Sequence, residues 1–181
     1  DSPEANAKYE AGDFKTAAES YKALIGSGKA SGALYYNLGN AYYQRAGRYE
    51  EAIEPYRQAI HLNPELELAY SRLGYCYVEL DRYDEAIAAF SGALRVNPHD
   101  VPDRENLGLA YSHTGEHARA IEHLEEAARL QPDLAIAHMN LGYVLRSSGR
   151  SGEAIEPLGR AIRLSPDVAL AHYNLARAYF D

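Results

Sequence analysis

Residues 67–100 read ELAYSRLGYCYVELDRYDEAIAAFSGALRVNPHD. Tyr70, Leu73, Gly74 and Tyr77 fall at i, i+3, i+4 and i+7, the spacing that lines one face of an α-helix. Asp81 and Arg82 interrupt this stripe, and a second follows in Ala86, Phe90, Ala93 and Leu94. Pro98 ends it, because the residue before a proline, here Asn97, is pushed out of the helical region. The stretch predicts two antiparallel helices joined by a short turn, with no strand. Its small residues have a packing reason. Gly74 and Ala86 let the paired helices approach, Ala93 does so where the next unit docks, and Tyr77 and Phe90 fill the space beside them. Leucine at Gly108 or Ala86 is expected to cost ~1–3 kcal/mol by overpacking.

The same block recurs along the chain. A small residue after leucine appears at Gly39, Gly74, Gly108, Gly142 and Ala176, at steps of 35, 34, 34 and 34 residues. Ala17, Ala52, Ala86, Ala120 and Ala154 keep that beat, as do Pro64, Pro98, Pro132 and Pro166. Gly12, Gly47, Gly115 and Gly149 stand at the turn position that Asp81 and Arg82 occupy in the first block. A glycine there stops a helix by accepting a left-handed backbone. Repeats of this length form stacked solenoids, in which no unit can bury its apolar face alone.

Composition narrows the function classes. A formal charge of −8 excludes a phosphate backbone as the main partner, so no nucleic acid is expected. No apolar run is long enough for a membrane span. Cys76 is the single cysteine, so neither an internal disulfide nor a cysteine metal cluster can form.

The pattern resembles the tetratricopeptide repeat (TPR) family. The residues that carry the likeness are Leu73-Gly74 with Tyr77, then Tyr83-Asp84-Glu85-Ala86, Phe90, Ala93 and Pro98. It extends over 32–66 (with one extra residue near Ala46), 67–100, 101–134 and 135–168. Residues 1–31 resemble a truncated first repeat, with Gly12, Phe14, Ala17 and Tyr21 in step, and 169–181 resemble the first helix of a further repeat or a capping helix. Departures are His117 and Ser151 at the place of Tyr49 and Tyr83, and Lys8 at that of Tyr42. The resemblance implies an all-α fold, an α-solenoid of stacked antiparallel helix pairs in the family's right-handed superhelix. First helices would line a concave surface and second helices the convex one. Pro55 and Pro157 fall inside second helices, where each removes one backbone hydrogen bond, so a slight bend is expected.

On that implication the exposed side of each first helix forms a peptide-binding groove. It comprises Tyr36, Asn37, Asn40 and Tyr43; Ser71, Arg72, Tyr75 and Val78; Glu105, Asn106 and Leu109; Met139, Asn140, Tyr143 and Arg146; and Tyr173, Asn174, Arg177 and Phe180. Aromatic residues with polar neighbours suit peptide recognition. Tyr43, Tyr75 and Tyr143 have a second reading, as packing against the adjacent first helix. Asn37, Asn106, Asn140 and Asn174 recur directly before the small-residue pair, broken by Arg72. This row resembles the asparagine ladder of O-linked N-acetylglucosamine transferases, and it also matches the generic repeat. A carboxamide offers donor and acceptor together, so such a row can pair with a peptide backbone. A carboxylate clamp, as in TPR co-chaperones, would use Asn6, Asn37 and Arg72, but Ser2 and Leu68 fill its two lysine places. Arg72, Arg146 and Arg177 against Glu10, Glu79, Glu105 and Asp181 leave the groove near neutral. Glu50, Glu51, Glu54, Glu85, Glu122, Glu125, Glu126 and Glu153 belong to second helices, as a solvated outer surface.

No catalytic set emerges. Gly115 separates His113 from His117 at a turn, and His138 and His172 take the places of Tyr35 and Tyr70, inside the repeat. Gly26-Ser27-Gly28-Lys29-Ala30-Ser31 lacks the first glycine and the hydroxyl of a phosphate loop and reads as an inter-repeat loop. Cys76 reads as a small buried residue. Neither an enzymatic activity nor a cofactor or metal is expected. The last helix carries Leu170, Leu175, Tyr179 and Phe180 with no partner after it, which predicts a longer array or self-association through that edge. The expected function is a scaffold that binds a protein or peptide in the groove. The competing readings are a module for homo-oligomerisation or larger assembly, and the targeting region of a larger enzyme.

Overall fold

The computed structural model describes residues 2–45 and 47–181, so the extra residue expected near Ala46 lies outside the described residues. Among the described residues the chain is all helical. It divides into two compact units, Asp1–Asn97 and Pro98–Asp181. The first contains α1 (Pro3–Glu10), α2 (Phe14–Gly26), α3 (Gly32–Gln44), α4 (Tyr49–Leu62), α5 (Glu67–Glu79) and α6 (Tyr83–Val96). The second contains α7 (Val101–His113), α8 (His117–Leu130), α9 (Ala135–Ser147), α10 (Ser151–Leu164) and α11 (Ala169–Phe180).

Within each unit every helix packs on the next one in sequence, and in the second unit α9 also touches α7 and α11. These are stacked antiparallel helix pairs, the α-solenoid arrangement, held by nearest-neighbour contacts. The chain bends back after a first helix where a residue enters the left-handed region: Gly12, Gly47, Gly115 and Gly149, with φ from +76° to +82°. Asp81 fills the equivalent place in the α5–α6 hairpin at φ +57°. Second helices end before the periodic prolines, on Asn63, Asn97, Gln131 and Ser165, whose ψ of 79° to 91° is non-helical. α4 and α10 each run as one helix through Pro55 and Pro157.

The small-residue slot meets one large side chain of the paired second helix. A Cβ placed on Gly39 would lie 2.6 Å from the Tyr56 ring, and one on Gly74 2.6 Å from the Phe90 ring. The corresponding distances are 2.8 Å from Gly108 to Leu124 and 2.4 Å from Gly142 to Leu158. Phe90, Leu124 and Leu158 are fully buried, worth ~1.5–3 kcal/mol each. The glycines are what admit them.

Cys76 is fully buried and its thiol is pushed up to about 12 by desolvation, with the charge on Arg72 opposing, so it is an inert core group. Lys8, in the place of Tyr42, turns outward to Glu4 (2.9 Å) and Ser20 (3.3 Å). The second-helix acids do form the solvated surface: Glu51, Glu85 and Glu153 pair with Arg48, Arg82 and Arg150 at the starts of their own helices. Such exposed pairs contribute little, because solvent screens them.

Candidate functional site

In the first unit the candidate face is built from α1, α3 and α5. Residues 36, 37, 40 and 43 share one side of α3, opposite the buried Leu34, Leu38 and Ala41. Tyr56 passes from α4 over Gly39, tilts against Tyr36 at 5.9 Å between ring centroids, and donates its hydroxyl to Asn40 Oδ1 at 2.8 Å. The first hairpin repeats this arrangement: Tyr21 of α2 donates to Asn6 Oδ1 at 2.7 Å. Burial raises the pKa of both tyrosines, so the phenols stay protonated and act as donors. Where the second helix offers no hydroxyl, the residue after the small one is apolar or aromatic. Phe90 meets Tyr75 edge to face at 5.5 Å, and Leu124 and Leu158 accompany Leu109 and Tyr143.

A polar cavity of about 200 Å³ opens between α1, α2 and α3, lined by Asn6, Tyr9, Glu10, Tyr21, Asn37 and Asn40. Tyr9 is held edge to face on Phe14 at 5.2 Å. On α5 the Arg72 guanidinium lies over the Tyr43 ring at 5.4 Å, and Tyr43 also packs on Tyr49. Tyr43 and Tyr75 are thus half-buried packing residues that keep an exposed edge, whereas Tyr143 is 37% exposed. Of the three clamp positions, Asn6 and Asn37 line the cavity and Arg72 is engaged by Tyr43. Ser2 caps α1 and Leu68 is solvent-exposed.

In the second unit each asparagine of the row makes a hydrogen bond within the protein, and the Asn174 Nδ2 is buried without a partner. Asn106 Nδ2 donates to the Pro102 carbonyl at 2.8 Å, and Asn140 Nδ2 to Glu105 Oε1 at 3.1 Å. Asn174 Oδ1 accepts from Arg146 Nε at 3.3 Å, and Arg146 also pairs with Asp181. Three residues expected on the exposed side, Glu105, Met139 and Asn174, are buried. Asn174 is 1% exposed, and Met139 (5%) joins Ala161 and Ala171 in an apolar cluster, because α11 packs over that part of α9. Leu109 likewise packs against the core around Leu124 and Val144. Glu105 is buried too, which raises its pKa against the opposing bond from Asn140. Tyr173, Arg177 and Phe180 are exposed. His138 packs inside as expected, bonded to the Pro132 carbonyl at 2.8 Å. His172 makes the same bond to Pro166 but is exposed, contrary to expectation, since no second helix covers α11 among the described residues.

The loop from Gly26 to Ser31 ends α2, passes through Gly28 at φ +84° and uses Ser31 to cap α3. The turn at Thr114–Gly115 does separate His113 from His117.

A tetratricopeptide repeat profile matches residues 3–67, 105–169 and 139–181, and a second matches 44–108. The chain belongs to the tetratricopeptide repeat family. Its fold is similar to that of crystallised MamA, at 26% identity and TM-score 0.84 over 91% of this chain and 96% of that one. A MamA fragment from Desulfovibrio magneticus RS-1 aligns at 21% identity and TM-score 0.82, over 91% and 93% of the two chains. YrrB, described as a TPR protein with an unusual peptide-binding site, aligns at 24% identity and TM-score 0.85, over 93% and 87%. Among curated proteins no significant match is found. The family and fold are those of protein-interaction scaffolds, modules that are generally non-catalytic. No helix among the described residues is long and apolar enough to cross a membrane.

Proposed function

We propose that the chain is a non-catalytic scaffold whose first helices bind an extended peptide or a segment of a partner protein. The observation that carries this reading is the cavity bounded by Asn6, Asn37 and Asn40, where hydrogen-bonding groups face an opening flanked by aromatic rings. Carboxamides of this kind bond a peptide backbone whatever its side chains, and aromatic residues add contact area at low entropic cost. In the second unit accessible first-helix residues include Tyr143, Tyr173 and Arg177. The crystallised relative YrrB, described as peptide-binding, lends support at the level of the fold.

Selection of a displayed peptide library on the full chain, followed by calorimetry, tests the proposal. Asn37→Ala is expected to weaken the selected peptides at least tenfold without lowering the melting temperature. Unchanged affinity in Asn37→Ala and in Tyr143→Ala would remove the groove as the binding surface.

One observation favours a second reading, self-association. α11 exposes Leu170, Tyr173, Tyr179 and Phe180, the last 89% accessible. An apolar face of that kind seeks a partner. Sedimentation of Phe180→Ser against the unaltered chain decides it: oligomers lost in the variant support assembly, and a concentration-independent monomer excludes it.

A further inference from the structure

We infer that the cavity of the first unit accepts a basic side chain, lysine or arginine, of an extended peptide. Glu10 would be the counter-ion, and the Asn6 and Asn40 carboxamides would donate to the flanking peptide carbonyls. This rests on the reading of the first-helix face as a peptide site and adds the class of residue that the site selects.

The tyrosine hydroxyls set the polarity of the cavity. Each of Asn6 and Asn40 has its oxygen turned to a buried phenol, at 2.7 and 2.8 Å. On these two residues the groups left for a ligand are therefore the NH2 ends, and a ligand that satisfies them must bring acceptors. Two kinds of acceptor are available to a peptide, its carbonyls and a carboxylate. The residues lining the cavity are Asn6, Tyr9, Glu10, Tyr21, Asn37 and Asn40, without a lysine, arginine or histidine, so no lining residue would offset the repulsion between a carboxylate and Glu10. Carbonyls carry no such penalty.

Glu10 lies on the last turn of α1, is exposed, and forms no ion pair among the described residues. A cation beside it gains a partner and breaks no existing pair. The ring of Tyr9, fixed on Phe14, adds a face against which an aliphatic stem or a guanidinium can lie. At about 200 Å³ the space falls below the ~300–1,000 Å³ of small-molecule pockets and suits one side chain with its peptide unit. The net charge of −8 would draw basic segments toward the chain from a distance.

The test uses four fluorescent octapeptides, acetylated and amidated, identical except for lysine, arginine, glutamine or glutamate at the centre of an alanine–serine host. Binding to the full chain is read by anisotropy at 50 and 500 mM NaCl. The lysine and arginine peptides are expected to bind at least tenfold more tightly than the glutamine peptide, with the margin shrinking at high salt. Glu10→Gln should abolish the margin. Lysine amide at the same concentration should not compete, which separates a peptide from a free amine. In 15N spectra the Asn6 and Asn40 side-chain amides should shift on adding the lysine peptide. A margin that survives Glu10→Gln, a glutamate peptide that binds as well as lysine, or full competition by lysine amide overturns the inference. Binding without charge preference that Asn37→Ala abolishes would sink the basic subsite and keep the groove. Failure of all four peptides, together with failure of library selection, would sink both.

Discussion

Tyr56 Oη and Asn40 Oδ1 stand 2.8 Å apart, and this bond joins the core of the α3–α4 pair to its outer face. The Tyr56 side chain is fully buried, crossing at Gly39, so its hydroxyl depends on Asn40. Asn6 and Tyr21 form the same pair one repeat earlier. The two partners are thus coupled: a phenol in the second helix calls for a carboxamide after the small residue of the first.

That coupling is measurable in a double-mutant cycle. Asn40→Ala strands a buried hydroxyl and should cost ~1–3 kcal/mol, whereas Tyr56→Phe leaves only a half-exposed carboxamide oxygen and should cost ~0.5–1.5 kcal/mol. The double variant should be less destabilised than the sum, with an interaction of ~0.5–3 kcal/mol in urea unfolding. Strict additivity would show that the bond contributes nothing.

The small-residue slot makes a second prediction. A Cβ on Gly142 would sit 2.4 Å from Leu158 Cγ, inside a fully buried neighbour, while one on Gly152 meets nothing within 4 Å. Gly142→Ala should therefore lower stability by ~1–3 kcal/mol through overpacking. Gly152→Ala, in the first turn of α10, should be neutral or raise it by up to ~1 kcal/mol through helix propensity. Equal melting temperatures for the two variants would contradict the packing account.

The same slot explains how much was legible in the sequence. Gly39, Gly74, Gly108 and Gly142 recur because each faces one large residue sixteen or seventeen positions on, a relation internal to a hairpin and so visible as a period. Exposure on the outer face depends instead on which helix lies beside it. Met139 and Asn174 have the spacing of groove residues, yet the packing of α11 on α9 buries both. His172 occupies the place of the buried His138 and stays exposed for the converse reason. The Asn–Tyr coupling did leave a sequence signal, the joint presence of Asn6 with Tyr21 and of Asn40 with Tyr56. Read singly, Asn40 looks like a free ligand contact, although its oxygen is already taken.

Asp81 is the one non-glycine residue in the left-handed region among those described, at φ +57° where the other hairpins have glycine. Its carboxylate accepts the Tyr83 hydroxyl at 2.8 Å on an exposed surface, a bond of small net worth. Asp81→Gly should relieve the backbone strain and stabilise the chain by ~0.5 kcal/mol, after the extra freedom of glycine in the unfolded state is offset. Asp81→Val, β-branched and unable to bond locally, should destabilise by ~1–2 kcal/mol. The urea midpoints should bracket that of the parent, and a valine variant at or above the parent would refute the strain.

Glu105 carries a pH dependence of unusual sign for a carboxylate. It is buried at 8% exposure, and desolvation raises its pKa above the unfolded value despite the bond from Asn140. A group whose folded pKa is raised favours the folded state while protonated. Its contribution is fully present below the unfolded carboxylate pKa and is lost as pH rises through the folded one. At neutral pH the cost of desolvating the ionised carboxylate therefore opposes folding. Glu105→Gln keeps an acceptor for Asn140 Nδ2 and removes the charge, so it should raise stability at pH 7 and change little at pH 4. Urea titrations of parent and variant at the two pH values check this: the gap in midpoint should open between them as pH rises, and a gap that is constant, or wider at pH 4, would show that Glu105 is held as a stabilising carboxylate.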